Sequence, residues 1–219
     1  MKFRAALIAL PFLVAACGNA SSESSNGAGT AALAGKKADI LDTDMVLGDP
    51  NAPVTLIEYA SVTCPHCATF NEQVMPDIKS KYIDTGKVKL IFREFPTAPA
   101  NYSIVGSVLA RCAAEKSGPE AYFLITDALF RGQRNWIKDN PRDELVKIVG
   151  QAGMDEAALE ACLERKELAD IVNANAKGGM EKYDISGTPQ FILDGEKMSY
   201  KSKEEFEQLV AAAVEKAGA

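Results

Sequence analysis

Glu58-Tyr59-Ala60-Ser61-Val62-Thr63-Cys64-Pro65-His66-Cys67 decides how this chain is read. Val54 to Ala60 is a near-continuous apolar run, the pattern of a strand buried on both faces, and the turn signal Gly48-Asp49-Pro50-Asn51-Ala52-Pro53 opens it. Phe70, Val74, Ile78 and Tyr82 recur every four residues, which predicts a helix from the cysteines to about Lys81, kinked at Pro76. An apolar strand therefore delivers two cysteines to the first turn of a helix. The unpaired backbone N–H groups and the positive dipole end at such a terminus favour an anion, so Cys64 is stabilised as a thiolate. His66, the only histidine in the chain, lies between the two sulfurs and adds a positive charge or an N–H donor. Two intervening residues with Pro65 among them, at a strand-to-helix junction, indicate redox chemistry rather than a metal site. Zinc would require two more nitrogen or sulfur ligands, a copper site built on Cys64, Cys67 and His66 lacks a distal histidine, and Ala68 stands where c-type haem requires histidine.

The motif resembles the active site of the thioredoxin-fold thiol oxidoreductases, and Cys64-Pro65-His66-Cys67 is similar to that of the DsbA family of disulfide-forming proteins. The resemblance extends to Gly187-Thr188-Pro189 and covers most of the chain from about Asp49 to the end. It implies an α/β thioredoxin fold with an all-helical insertion between its two halves. It also implies catalysis by Cys64, with Cys67 as its buried partner and Pro65 and His66 tuning the pair. Glu58, six residues before Cys64, would be a buried acid that exchanges protons with Cys67; from position alone it can equally reach solvent at a strand end. Burial would raise its pKa toward neutrality. Pro189 would be a cis-proline facing the cysteines, with the backbone of Thr188 free to pair with an extended substrate. Read alone, Pro189 is a strand-start proline, tolerated there because it has no N–H to donate to the ladder. The best-studied DsbA pattern has valine before this proline. Thr188 also occurs in reductases and isomerases of the fold, which leaves the direction of catalysis open.

The segment preceding this body is an address. Lys2 and Arg4 followed by the short apolar stretch Ala5 to Ala16 form a signal peptide, so the chain is read as exported. Leu13-Val14-Ala15-Ala16-Cys17 resembles a lipobox, which implies cleavage before Cys17 and lipidation on it; ordinary secretory cleavage after Ala20 is the alternative. Five cysteines leave one unpaired, and a lipidated Cys17 would leave four to pair. From Asn19 to about Lys37 the chain is Ser, Gly, Ala and Asn, the composition of a flexible linker. Loss of Lys2 and Arg4 leaves 22 basic against 30 acidic residues, a net charge of −8, which excludes nucleic acid as an expected partner. After the leader no apolar run is long enough to span a bilayer.

Downstream, Val88 to Phe92 reads as a second strand, parallel to the first through a right-handed crossover. The second half of the fold follows much later, as a strand from Pro189 to Leu193, a turn at Asp194-Gly195 and a hairpin partner from Lys197 to Tyr200. Ser202 and Glu205 make a capping box for a final helix that turns Phe206, Leu209, Val210 and Val214 to one face. The roughly eighty residues between the halves are too many for a structureless loop. They carry helical spacing at Ile104 to Lys116 and Ala121 to Phe130, a helix start at Pro141, and another at Asp155 running through Cys162 toward Asn175. Trp136, Tyr122, Phe123 and Phe130 are read as the core of this insertion. Cys112 and Cys162 lie in two of its helices, either as free core thiols or, in an exported chain, as a structural disulfide. A second cysteine pair here resembles alphaproteobacterial DsbA-like proteins.

The resulting organisation is a signal peptide at 1–16, a lipidated cysteine and linker at 17–43, thioredoxin halves at 44–96 and 178–219, and the insertion at 97–177. The expected activity is donation of the Cys64–Cys67 disulfide to reduced exported client proteins in the periplasm, from a lipoprotein anchor. The resemblance implies reoxidation by a DsbB-type membrane protein, with no metal, flavin or nucleotide cofactor. A disulfide isomerase or reductase of the same fold is the nearest alternative, and a metal-binding lipoprotein the more distant one.

Overall fold

In the computed structural model, residues 38–138 and 140–219 are described, so the signal peptide, Cys17 and most of the expected linker lie outside the described residues. The chain runs β1 (Met45–Leu47), β2 (Val54–Ala60), α1 (Pro65–Gln73), α2 (Met75–Ile78), a π-helical turn at Lys79–Ile83 and β3 (Val88–Glu94). The helical stretch follows as α3 (Ala100–Ser117), α4 (Pro119–Arg131), α5 (Gln133–Trp136), α6 (Pro141–Gly150), α7 (Glu156–Leu163) and α8 (Lys166–Tyr183). The chain ends with β4 (Gln190–Leu193), β5 (Glu196–Lys197) and α9 (Lys203–Lys216).

Among the described residues five strands form one sheet in the order β1-β3-β2-β4-β5. β2 pairs parallel with β3 and antiparallel with β4, so it is central and every one of its residues is buried. This is the expected α/β frame with helices inserted between its halves. The kink also falls where expected: α1 stops at Val74, and Pro76, which cannot donate to the preceding turn, starts the short α2. Ser202 caps α9 by accepting from the Glu205 N–H, and that helix buries Phe206, Val210 and Val214.

Two local readings of secondary structure are corrected. The hairpin partner of β4 is only Glu196–Lys197, because Tyr200 leaves the ladder to pack edge-on against Phe191 and Phe206. The single helix expected from Asp155 toward Asn175 is two. α7 ends at Leu163, and Arg165, between the helices, pairs with Glu115 of α3. α8 then continues to Tyr183, across the boundary read at 177/178. The linker read as extending to residue 43 is already fixed to the body before that: Ala38 is buried, Arg93 pairs with Asp44, Lys182 with Asp39, and Arg111 donates to the Thr43 carbonyl. β1, paired antiparallel to β3, has no counterpart in the sequence reading.

Among the described residues three apolar clusters cover the sheet. Two share the face of Leu56, Ala60, Leu90 and Phe92: one joins Phe70, Phe191 and Phe206 with β2 and β3, and the other joins Val62, Cys67 and Phe92 with the insertion's Leu109, Tyr122, Phe130 and Trp136. The third, on the opposite face, joins Ile57, Tyr59, Ile91 and Ile192 with Ile185. The aromatics of the insertion are thus its core, as read. At Gly106 of α3 a Cβ would stand 2.9 Å from Val62 Cγ2, so glycine lets that helix close onto the loop between β2 and α1.

Candidate active site

Cys64 is the N-cap residue of α1, with extended backbone (φ −80°, ψ 120°), and its sulfur therefore sits over the first turn of the helix. Pro65 occupies the first helical position, where its missing N–H leaves no bond unmade. Cys67, one turn along, points inward. Cys64 is 7% exposed and Cys67 fully buried, and neither sulfur is bonded to the other here.

This geometry drives the two thiols apart in acidity. The Cys64 pKa falls to about 5, chiefly because the Cys67 thiol donates to its sulfur; burial opposes this, while Thr188 and the backbone N–H groups of Cys67 and His66 add to it. Cys67 moves strongly the other way, through burial first, then its bond to Cys64 and the charge of Glu58. At neutral pH the outer sulfur is an anion and the inner one a thiol.

Glu58 lies in the middle of β2, opposite Phe92 on β3 and Phe191 on β4, and is 3% exposed. Burial, with a smaller contribution from Cys64, lifts its pKa to about 8. Its Oε1 has no hydrogen-bond partner, and the side chain faces a cleft of about 1030 Å³ walled by Phe92, Phe123 and Phe130. The structure therefore puts Glu58 inside, not at a solvent-facing strand end, within electrostatic reach of Cys67.

Thr188 and Pro189 meet the cysteines from the other half of the fold. The Thr188–Pro189 peptide is cis, and Cys64 Sγ lies 3.4 Å from the Thr188 carbonyl oxygen, to which it donates only while it is protonated. The Thr188 hydroxyl is buried with no hydrogen-bond partner. His66 is exposed, and its backbone N–H favours the Cys64 thiolate. Cys112 and Cys162 form a disulfide joining α3 to α7. Cys17 lies outside the described residues. Among the described residues no three His, Cys, Asp or Glu side chains gather as a metal-ligand set.

A support behind the cysteines was missed in the sequence. Ser61 Oγ lies 2.9 Å from Thr63 Oγ1 and 2.8 Å from Ser103 Oγ of α3, and Thr63 Oγ1 donates to the Thr97 carbonyl at 3.1 Å. Thr97 belongs to a loop that turns through the cis peptide Ala98–Pro99. Gln133 of α5 donates to the carbonyls of Val62 and Cys64. The one local signal was the pair of hydroxyl residues Ser61 and Thr63 in an otherwise apolar loop; their partners Thr97 and Ser103 are 34 to 42 residues away, and Gln133 is 71 residues from Val62.

The family model described as Thioredoxin matches residues 41–212. A Rickettsia bellii protein named as a protein-disulfide oxidoreductase is 32% identical over 155 residues, 70% of this chain and 58% of that protein, so the chain spans less than two thirds of that relative. The disulfide bond formation protein D of Bacillus subtilis is 28% identical over 156 residues, 68% of this chain and 67% of that one. The crystal structure of alpha-DsbA1 from Wolbachia pipientis superposes with a TM-score of 0.72 at 32% identity, covering 81% of this chain and 94% of that one.

Proposed function

This chain belongs to the thioredoxin superfamily as a DsbA-like protein, and from that membership we propose that it is a periplasmic thiol:disulfide oxidoreductase that donates its Cys64–Cys67 disulfide to reduced exported proteins. The observation that carries the reading is the division of the two sulfurs: a thiolate-favouring Cys64 at the mouth of the site and a thiol-favouring Cys67 beneath it.

In the oxidised form a client thiolate attacks Cys64 Sγ; the S–S bond breaks and the electron pair leaves on Cys67. Burial makes that anion costly, so Cys67 takes up a proton, and Glu58, neutral below about pH 8, is the group placed to supply it. The client's second thiolate then attacks its own sulfur in the mixed disulfide and expels Cys64. Low-pKa thiolates leave readily, so this step runs toward oxidised client and reduced enzyme. The extended client segment pairs with the backbone of Thr188, beside the cis-proline. Two electrons have moved from client to enzyme, and a DsbB-type membrane protein returns the pair to the disulfide. No metal, flavin or nucleotide takes part. Cys17 carries the lipid anchor that keeps the enzyme at the membrane; among the described residues no helix is long and apolar enough to cross one.

The test is the redox potential of the Cys64–Cys67 pair against glutathione, together with oxidation of reduced ribonuclease by the wild type, Cys64→Ser and Cys67→Ser proteins. A potential above about −180 mV, loss of activity in Cys64→Ser and client trapped as a mixed disulfide on Cys67→Ser are expected. A potential near about −270 mV, or equal trapping by both variants, would overturn the reading. A disulfide isomerase or reductase is the second reading, favoured by threonine at position 188, and recovery of scrambled ribonuclease distinguishes it.

A further inference from the structure

We infer that Gln133 is a positioning residue for the nucleophile, through which the helical insertion holds and polarises the backbone of Cys64. The inference rests on reading the site as a thiol-exchange centre.

Gln133 opens α5 and is 8% exposed. Its single amide nitrogen donates to the Val62 carbonyl at 2.9 Å and to the Cys64 carbonyl at 3.0 Å. A primary amide nitrogen has two protons, and both are used, so the side chain is held in one orientation. The two acceptors flank Thr63 in the loop between β2 and α1, which makes the amide a clamp across the residue preceding the nucleophile.

The Cys64 carbonyl already accepts from the Ala68 N–H at 3.1 Å, the first hydrogen bond of α1. A second donor on that oxygen has two consequences. It holds the extended N-cap backbone that sets Sγ over the helix terminus and toward Thr188. It also sets a fixed N–H dipole against the negative end of the carbonyl carried by the same residue as the sulfur, which lessens the repulsion felt by a thiolate. The hydroxyls of Ser61, Thr63 and Ser103 bond to one another and to the Thr97 carbonyl, and to no Cys64 backbone atom. Among the described residues, Gln133 is the side chain that reaches the Cys64 main chain.

A residue that merely satisfies two buried carbonyls would support both redox forms alike. A positioning residue acts more on the form that carries the thiolate. The experiment is thiolate absorbance near 240 nm of the reduced full chain titrated with acid, for the wild type and Gln133→Met, which keeps the length and removes the donors. Gln133→Met is expected to raise the Cys64 pKa by about one unit and to move the equilibrium with glutathione about tenfold toward the enzyme disulfide. The reduced form should also lose more stability than the oxidised form. A variant less stable equally in both forms, with the wild-type thiolate titration, overturns the inference. Should Gln133→Met not fold, the wild type decides by NMR: the Gln133 side-chain amide resonance must shift with the midpoint of the Cys64 titration, and a resonance that stays put through it overturns the inference. Neither readout uses client turnover, so failure here is distinguishable from failure of the proposed activity.

Discussion

Cys64 and Cys67 are three residues apart on one helical turn, yet burial and hydrogen bonding separate their acidities, and the consequence is a pH-dependent contest between the redox forms. The sign follows from linkage. The folded pKa of Cys64, about 5, lies below the unfolded value near 8.5, so its stabilisation of the reduced form is complete above about pH 8.5 and is lost as pH falls to 5. That gives about 2–3 kcal/mol at pH 7 and about 4 kcal/mol at pH 8. The oxidised form gains instead the entropy of a four-residue ring, about 2 kcal/mol. Urea unfolding should find the two forms close at pH 6 to 7 and the reduced form ahead by pH 8; an oxidised form that stays more stable throughout would refute the thiolate account. Glu58 works in the opposite sense. Its raised pKa makes its contribution complete below about pH 4.5 and lost as pH climbs through about 8. Glu58→Gln should therefore stabilise the oxidised protein at pH 7 by up to about 3 kcal/mol, with the gain vanishing near pH 4, while slowing client oxidation. Equal unfolding midpoints at pH 7 would place the carboxyl in a more polar setting than its burial indicates.

At the scale of elements, the described residues of the insertion form six helices laced to one another and to the sheet. The Cys112–Cys162 disulfide fastens α3 to α7 across 50 residues of chain, and both sulfurs lie in the insertion's apolar core. Closing a loop of that length removes about 4 kcal/mol of unfolded-state freedom. Neither cysteine is hydrogen-bonded to the redox pair, and a purely structural role for the bond is testable. Replacing both with serine should lower the unfolding free energy by about 3–4 kcal/mol and leave most of the ribonuclease-oxidising rate intact. Loss of that rate in a variant that still unfolds cooperatively would give the bond a catalytic role. The break between α7 and α8 belongs to the same lacing: with Cys162 tied back to α3, Arg165 turns to Glu115 of that helix. At Gly179 of α8 a Cβ would lie 2.6 Å from the Tyr59 ring, so the helix rests directly on the central strand.

For the molecule as a whole, the insertion is joined to the sheet by a buried charge cluster at the end of β3. Arg111 of α3 grips both oxygens of Glu94 at 2.7 and 2.8 Å, Tyr122 of α4 and Asn175 of α8 donate to the same carboxylate, and Arg111 also reaches the Thr43 carbonyl. Every partner is satisfied, which is the condition for burying such a pair. Arg111→Met should cost about 3–5 kcal/mol by leaving Glu94 charged and unpaired, and adding Glu94→Gln should recover part of it; a loss below about 1 kcal/mol, read from urea midpoints, would mean solvent reaches the cluster. Nothing near Glu94 in the sequence announced this cluster, because the side chains that bond its carboxylate lie 17 to 81 residues away from it. The same reason separates what the sequence settled by itself from what it left open. Strand β2, the cysteines at the head of α1, the kink at Pro76 and the cap at Ser202 follow from neighbours a few residues away, and local sterics and hydrogen bonding leave them little choice. β1 is three residues long, and only its pairing with β3 makes it a strand. Tyr200 left the ladder for a packing partner in α9, and the imidazole of His66 faces solvent because the turn of α1 points it outward. The depth of Glu58, the hydroxyls behind Cys64 and the grip of Gln133 arise where distant segments exclude water together, and only the packed chain decides which groups those are.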